Sequence, residues 1–171
     1  AIETLIDQGH QTVMIKMGAL PIVHGIRRMT SAQKRFGDRI FIIVDANQAW
    51  EGADTLEFID GIRNDRPDLI EQPIKRWDID GLKRIRDRAP CPLSADESLT
   101  TVKDAATLIR ERTVDVFSIK VSKNGGLYKS KQIAAMADGF GLKCLMNSML
   151  EFGITQAASL QLGCTLNNLL D

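Results

Sequence analysis

Three times in this chain an acidic residue closes a short apolar run, at nearly even spacing, and that recurrence limits the folds open to it. In residues 41–50 (FIIVDANQAW), Phe41, Ile42, Ile43 and Val44 run straight into Asp45, and Asn47 follows two positions on. Residues 68–74 (DLIEQPI) bring an apolar pair to Glu71, and residues 92–98 (PLSADES) reach Asp96. The acids stand 26 and 25 residues apart. A strand buried on both faces is apolar at successive positions, and an acid at its last position marks where it leaves the core. Three such acids, one per repeat, point to a shared site at the ends of successive strands.

Amphipathic segments separate these runs. Strands are expected at 13–17, 41–45, 68–71, 93–96, 115–121 and 142–146. Residues 1–9 have the pattern of a helix end stopped at Gly9. A helix over 22–36 would turn Ile22, Ile26 and Met29 inward, and the next would use Ala53, Leu56, Ile59 and Ile62 as its apolar stripe. Asp78 is placed to cap a helix over 79–88, with Ile79, Leu82 and Ile85 inward. Helices over 102–112 (Val102, Ala106 and Ile109 inward), 127–138 and 152–162 complete the series. Strict alternation of strand and helix gives parallel strands joined by right-handed crossovers. A doubly wound open sheet would bind ligand at one switch point, commonly beside a glycine-rich turn. Neither GxGxxG nor GxxxxGK is present. Polar residues at nearly every strand end instead suit a (β/α) barrel, whose site draws on several strand ends. The expected fold class is therefore α/β, a barrel of the TIM type. Six strands fall short of the eight of a closed barrel. The expectation is one catalytic domain over 1–171 that is incomplete at both ends.

Composition excludes several other functions. The 22 basic and 22 acidic residues cancel and are intermixed, so no general attraction to nucleic acid or an anionic membrane is expected. No apolar stretch approaches the roughly 20 residues that cross a bilayer. No secretion signal stands at Ala1, and Cys91, Cys144 and Cys164 are odd in number and lack a CxxC pattern. A reducing, cytoplasmic setting is expected, with each cysteine a small buried hydrophobe rather than a disulfide partner.

Asp45, Glu71 and Asp96 form the first chemical constellation. Convergent carboxylates repel one another unless a cation lies between them. All-oxygen ligation is what Mg²⁺ prefers, with Mn²⁺ an alternative. Glu97 competes with Asp96 as third ligand, since neighbours on a strand face opposite ways. The plainer reading is that the acids cap the helices that follow. Asn47 either supports the ligands or caps a helix. The second constellation is Lys16 (VMIKMG) and Lys120 (FSIKVS), two lysines in apolar strands that flank the three acids in chain order. Burial disfavours the charged form of a lysine, and a lysine so placed can act as a base near neutral pH. On opposite sides of a carbon acid, one could remove a proton and the other return it. A structural salt bridge is the alternative for either.

IKMG at Lys16, VDAN at Asp45, IEQP at Glu71, SADES at Asp96 and IKVSKNGG at Lys120 together resemble the enolase superfamily, in its mandelate racemase/muconate lactonizing branch. The resemblance implies Asp45, Glu71 and Asp96 as Mg²⁺ ligands and Lys16 and Lys120 as the acid/base pair. It also implies abstraction of the proton α to a carboxylate, through an enediolate. The mandelate racemase type uses a late-strand histidine. Here the two histidines are His10 and His24, both early, so Lys120 fits the muconate lactonizing subgroup. That subgroup includes cycloisomerases and dipeptide or N-acylamino acid epimerases. By the same resemblance Ser148 and Glu151 in NSMLEFG line the pocket, or alternatively start a helix. Met14 stands where the family usually has the first lysine of Lys-x-Lys, which removes a positive charge beside Lys16. The family's α+β capping domain, which largely sets specificity, has no counterpart in these residues. The expected function is isomerisation of a small carboxylate, as a homo-oligomer. A sugar-acid dehydratase with the same first step is the alternative. The rival of another class is a non-catalytic partial barrel that associates with another chain.

Overall fold

The computed structural model describes residues 1–170 and divides the chain into two compact units. The first is Ala1–Leu93 and the second begins at Ser94. The first unit contains α1 (Ile2–Asp7), β1 (Thr12–Lys16), α2 (Ile22–Phe36), β2 (Phe41–Asp45), α3 (Gly52–Gly61), β3 (Leu69–Glu71) and α4 (Ile79–Arg86). The boundary falls within β4 (Leu93–Ala95). After it come α5 (Val102–Glu111), β5 (Val116–Ile119), α6 (Leu127–Gly139), β6 (Lys143–Met146) and α7 (Gly153–Gly163). Among the described residues six strands thus alternate with helices, as the sequence pattern predicts. Among the described residues, no helix is long and apolar enough to cross a membrane.

In the first unit β2 lies between β1 and β3, in parallel register. Its apolar run is buried on both faces, whereas β1 alternates, with Val13 and Ile15 buried and Thr12 and Lys16 exposed. Register places Lys16 beside Asp45 and Asp45 beside Glu71, so the charged residues end three neighbouring strands in a row. Gly18 permits the close approach of the loops after β1 and β2. A Cβ there would stand 2.3 Å from the Ala46 carbonyl oxygen and 2.7 Å from the Ala49 Cβ. In the second unit β5 pairs in parallel with β4 and with β6.

Helix α2 has the bounds its periodicity predicts, and Asp78 caps α4 by accepting from the Gly81 N–H at 2.8 Å. The inward stripes of α3 and α5 differ from expectation. In α3 the buried residues are Thr55, Phe58 and Ile59, with Ile62 buried just beyond its end, so Ile59 and Ile62 face inward as expected while Ala53 is exposed and Leu56 half-buried. In α5 they are Ala105 and Leu108, with Ala106 exposed and Val102 and Ile109 half-buried. Both sequences allow two overlapping stripes; α3 turns inward the one that carries Phe58, and α5 the one that carries Leu108. Phe58 packs against Trp50 with ring centroids 4.7 Å apart. Ile22, Ile26 and Ile79 are half-buried at the margins of their stripes. Cys144 is buried, and burial pushes its thiol up to about 12. Cys164 is exposed and Cys91 half-buried, so the expectation of a buried hydrophobe is corrected at both. Cys164 directly follows α7, outside its buried stripe.

The start of α5 rests on a reciprocal cap. Thr101 Oγ accepts from the Asp104 N–H at 3.2 Å, and the Asp104 carboxylate accepts from the Thr101 N–H at 2.7 Å. Thr101→Ala removes one arm, so a loss of about 1 kcal/mol and a fall in Tm of roughly 2–4 °C are expected by calorimetry.

Candidate active site

The candidate lysines and aspartates fall into one cluster in each unit, each built round a buried aspartate at a strand end. In the first unit Asp45 is 1 % exposed. Its Oδ2 accepts a hydrogen bond from Lys16 Nζ, and its Oδ1 accepts from the Asn47 backbone N–H at 2.7 Å. The second contact exists because the chain leaves the extended conformation directly after β2, with Asn47 at φ 48° and Gln48 at φ 55°. Asn47 therefore does not continue the strand. It is exposed and holds Asp45 through its backbone, while Glu51 caps α3 in a reciprocal box with Asp54. Glu71, fully buried, ends β3 in register with Asp45.

In the second unit Asp96 follows β4 and is 1 % exposed, while Glu97 beside it is half-buried. Of the two alternatives for the third acid, Asp96 is the one taken fully into the interior. Lys120 Nζ donates to Asp96 Oδ2 and Lys123 Nζ to Asp96 Oδ1, each at 2.6 Å. The turn carrying both lysines is closed by Asn124. Its Oδ1 accepts from the Lys120 N–H at 2.9 Å, and its Nδ2 donates to the Leu99 carbonyl at 2.9 Å. Gly125 and Gly126 then adopt φ 81° and 91°, the left-handed region open to glycine at little cost, before α6 begins. The run IKVSKNGG is thus the sequence of one turn that presents two ammonium groups to one carboxylate.

The lysines differ from the expectation of burial within strands. Lys16 is the last residue of β1 and Lys120 the first beyond β5. The Lys16 side chain is 61 % exposed and that of Lys120 only 11 %, so only Lys120 is largely withdrawn from solvent. The cause is local: β1 has an exposed face and all four residues of β5 are buried. Met14, half-buried in β1, offers Lys16 no neighbouring charge.

Ser148 and Glu151 also come together, but not to start a helix. Helix α7 begins at Gly153 with Phe152 at its N-cap position and no side-chain cap. Glu151 instead accepts from Ser122 Oγ at 2.7 Å, from Ser148 Oγ and from the Met149 N–H at 2.6 Å. These donors hold its carboxyl down to about 2, the Ser122 hydroxyl contributing most. With Met146, Asn147 and Gln156, Ser148 and Glu151 line an open groove of about 580 Å³. Lys123, Asn124 and Ser122 were not legible as site residues in the sequence. Their one signal is the spacing of two lysines three residues apart, which a tight turn brings together.

Asp45, Glu71 and Asp96 have the donor chemistry of a Mg²⁺ ligand set: buried carboxylates and no soft ligand. Among the described residues, no three His, Cys, Asp or Glu side chains are drawn into one cluster. Asp45 and Asp96 each close on a lysine instead.

The sequence pattern of the family described as "Enolase C-terminal domain-like" matches residues 1–171. The L-Ala-D/L-Glu epimerase of Clostridium acetobutylicum is 35% identical over 156 residues, which is 90% of this chain and 43% of that protein. Muconate cycloisomerase 1 of Pseudomonas putida is 32% identical over 160 residues, 94% of this chain and 43% of that protein. The crystal structure of muconate cycloisomerase from Pseudomonas fluorescens superposes with a TM-score of 0.94 at 36% identity, covering 98% of this chain and 46% of the other. The chain therefore spans less than half the length of these relatives, and its fold class is that of an incomplete (β/α) barrel.

For Glu151 the sign of the pH dependence follows from a carboxyl held below its ordinary value. Its contribution to the order of the 147–151 loop is fully present above about 4.5 and is lost as pH falls toward about 2. A carboxyl-carbon NMR titration is expected to place its midpoint near 2, and Ser122→Ala is expected to raise that midpoint.

Proposed function

This chain belongs to the enolase C-terminal domain-like family, and on that footing we propose that it is the catalytic domain, over 1–171, of an isomerase that removes and returns the proton α to a carboxylate. The observation that carries the reading is the lysine held against a buried aspartate at a strand end in each unit: Lys16 on Asp45 and Lys120 on Asp96. A carboxylate beside an amine fixes the position of the amine and favours its protonated form once it has taken a proton. One lysine takes the α-proton of a bound acid, and the other delivers a proton to the opposite face. General acid/base groups of this kind contribute roughly 10²–10⁴-fold each.

Asp45, Glu71 and Asp96 are the residues that would hold Mg²⁺, or Mn²⁺ in its place. When bound, the ion would supply Lewis-acid stabilisation of the charge that develops on the substrate carboxylate. The substrate is a small carboxylate of the dipeptide, N-acylamino acid or muconate type. L-Ala-D/L-Glu epimerase and muconate cycloisomerase 1, at 35% and 32% identity, support that range. Epimerisation needs both lysines as proton carriers, whereas cycloisomerisation needs one.

Incubation of dipeptides, N-acylamino acids and muconates in deuterated water with Mg²⁺ tests the reading, with α-deuterium followed by mass spectrometry. Incorporation is expected with at least one class. For a dipeptide or N-acylamino acid, Lys16→Ala and Lys120→Ala are each expected to slow it by on the order of 10²–10⁴-fold, and for a muconate-type acid at least one of them is. Wild-type rates in both variants would rule the mechanism out.

A further inference from the structure

Lys123 takes part in the second cluster as fully as Lys120, yet the proposed reaction gives it no task. Its Nζ donates to three acceptors: Asp96 Oδ1 at 2.6 Å, the Asp96 carbonyl at 2.7 Å and the Ser118 carbonyl at 3.0 Å. An ammonium group has three N–H donors, so these bonds engage all of them. A lysine spent in this way cannot also carry a substrate proton. Its side chain is 11 % exposed, matching Lys120, which excludes a solvated surface role. The acceptors lie just beyond β4 and within β5, so a single ammonium group ties the two strand ends together. The remaining Asp96 oxygen, Oδ2, receives Lys120.

We infer that Lys123 is a positioning residue: it clamps the Asp96 carboxylate in one orientation and thereby holds the Lys120 ammonium group in place. This rests on the proposed acid/base role of Lys120 for its purpose, but not for its geometry. Charge-assisted hydrogen bonds are short and orienting, and Asp96 has one on each oxygen. Without Lys123, two backbone carbonyls and Oδ1 lose a donor. The carboxylate is then free to rotate about its Cβ–Cγ bond, and Lys120 follows a partner that is no longer fixed. Lys123 thus preorganises the candidate base from a position where it does not itself react.

The test is nitrogen-15 NMR of the lysine ammonium groups in the 171-residue chain, at mildly acidic pH and low temperature, reading hydrogen exchange at Lys120 Nζ. Lys123→Met is expected to speed that exchange at least tenfold. Lys123→Arg, which restores charge and donors, is expected to stay within threefold of wild type. Exposed Lys83 serves as the reference that neither variant moves. Unchanged Lys120 exchange in a folded Lys123→Met protein, judged by the amide signals of β4–β6, would overturn the inference. If the Met variant does not fold, the Arg variant decides, and a tenfold acceleration there would also overturn it. The readout needs no turnover, so loss of Lys120 protection without deuterium incorporation into any substrate would uphold the clamp and reject the catalytic reading.

Discussion

A buried carboxylate needs a compensating charge, and at the strand ends of this chain lysine supplies it. Asp45 and Asp96 are almost wholly withdrawn from water, a placement that costs several kcal/mol per ion unless hydrogen bonds and opposite charge offset it. Each obtains both. Asp45 has Lys16 and the Asn47 N–H, and Asp96 has Lys120 and Lys123. The lysines therefore have a structural reason to be where they are, and the same placement makes them candidates for proton transfer.

The surrounding architecture supports this pairing. Parallel strands end at one level, so register alone aligns Lys16, Asp45 and Glu71. The loops that follow then turn sharply: Asn47 and Gln48 enter the left-handed region after β2, and Gly125 and Gly126 do so before α6. In the first case the turn delivers a backbone N–H to Asp45, and in the second Asn124 bonds it closed so that two lysines face Asp96. Gly18 lets the loop after β1 come within contact of the loop after β2, close to where Lys16 meets Asp45. The two clusters differ in exposure, at 61 % for the Lys16 side chain and 11 % for Lys120.

Much of this was legible in the residues. Apolar runs ending in an acid located β2, β3 and β4, and α2 has the bounds its 3.6-residue period assigns. The stripe of α5 and the first half of that of α3 were misplaced, though Ile59 and Ile62 are buried as expected, because amphipathic periodicity leaves an ambiguity of one position when apolar residues crowd a helix. In α3 the aromatic bulk of Phe58, packed on Trp50, is buried, and in α5 Leu108 is buried rather than its isomer Ile109. Lys123 was not readable because a hydrogen-bonded turn has no period. Its three acceptors, two of them backbone carbonyls, leave no trace in side-chain chemistry. The exposure of Lys16 depends on which strand has an open face, which an apolar run does not reveal.

Calorimetric titration of the 171-residue chain with Mg²⁺, beside Asp45→Asn, tests most directly whether these buried carboxylates serve a cation beyond the lysines. Saturable binding to the wild type that Asp45→Asn abolishes is the predicted result. Binding that survives Asp45→Asn unchanged, or no binding to either protein, would contradict it and leave the lysine–aspartate pairs as structural salt bridges.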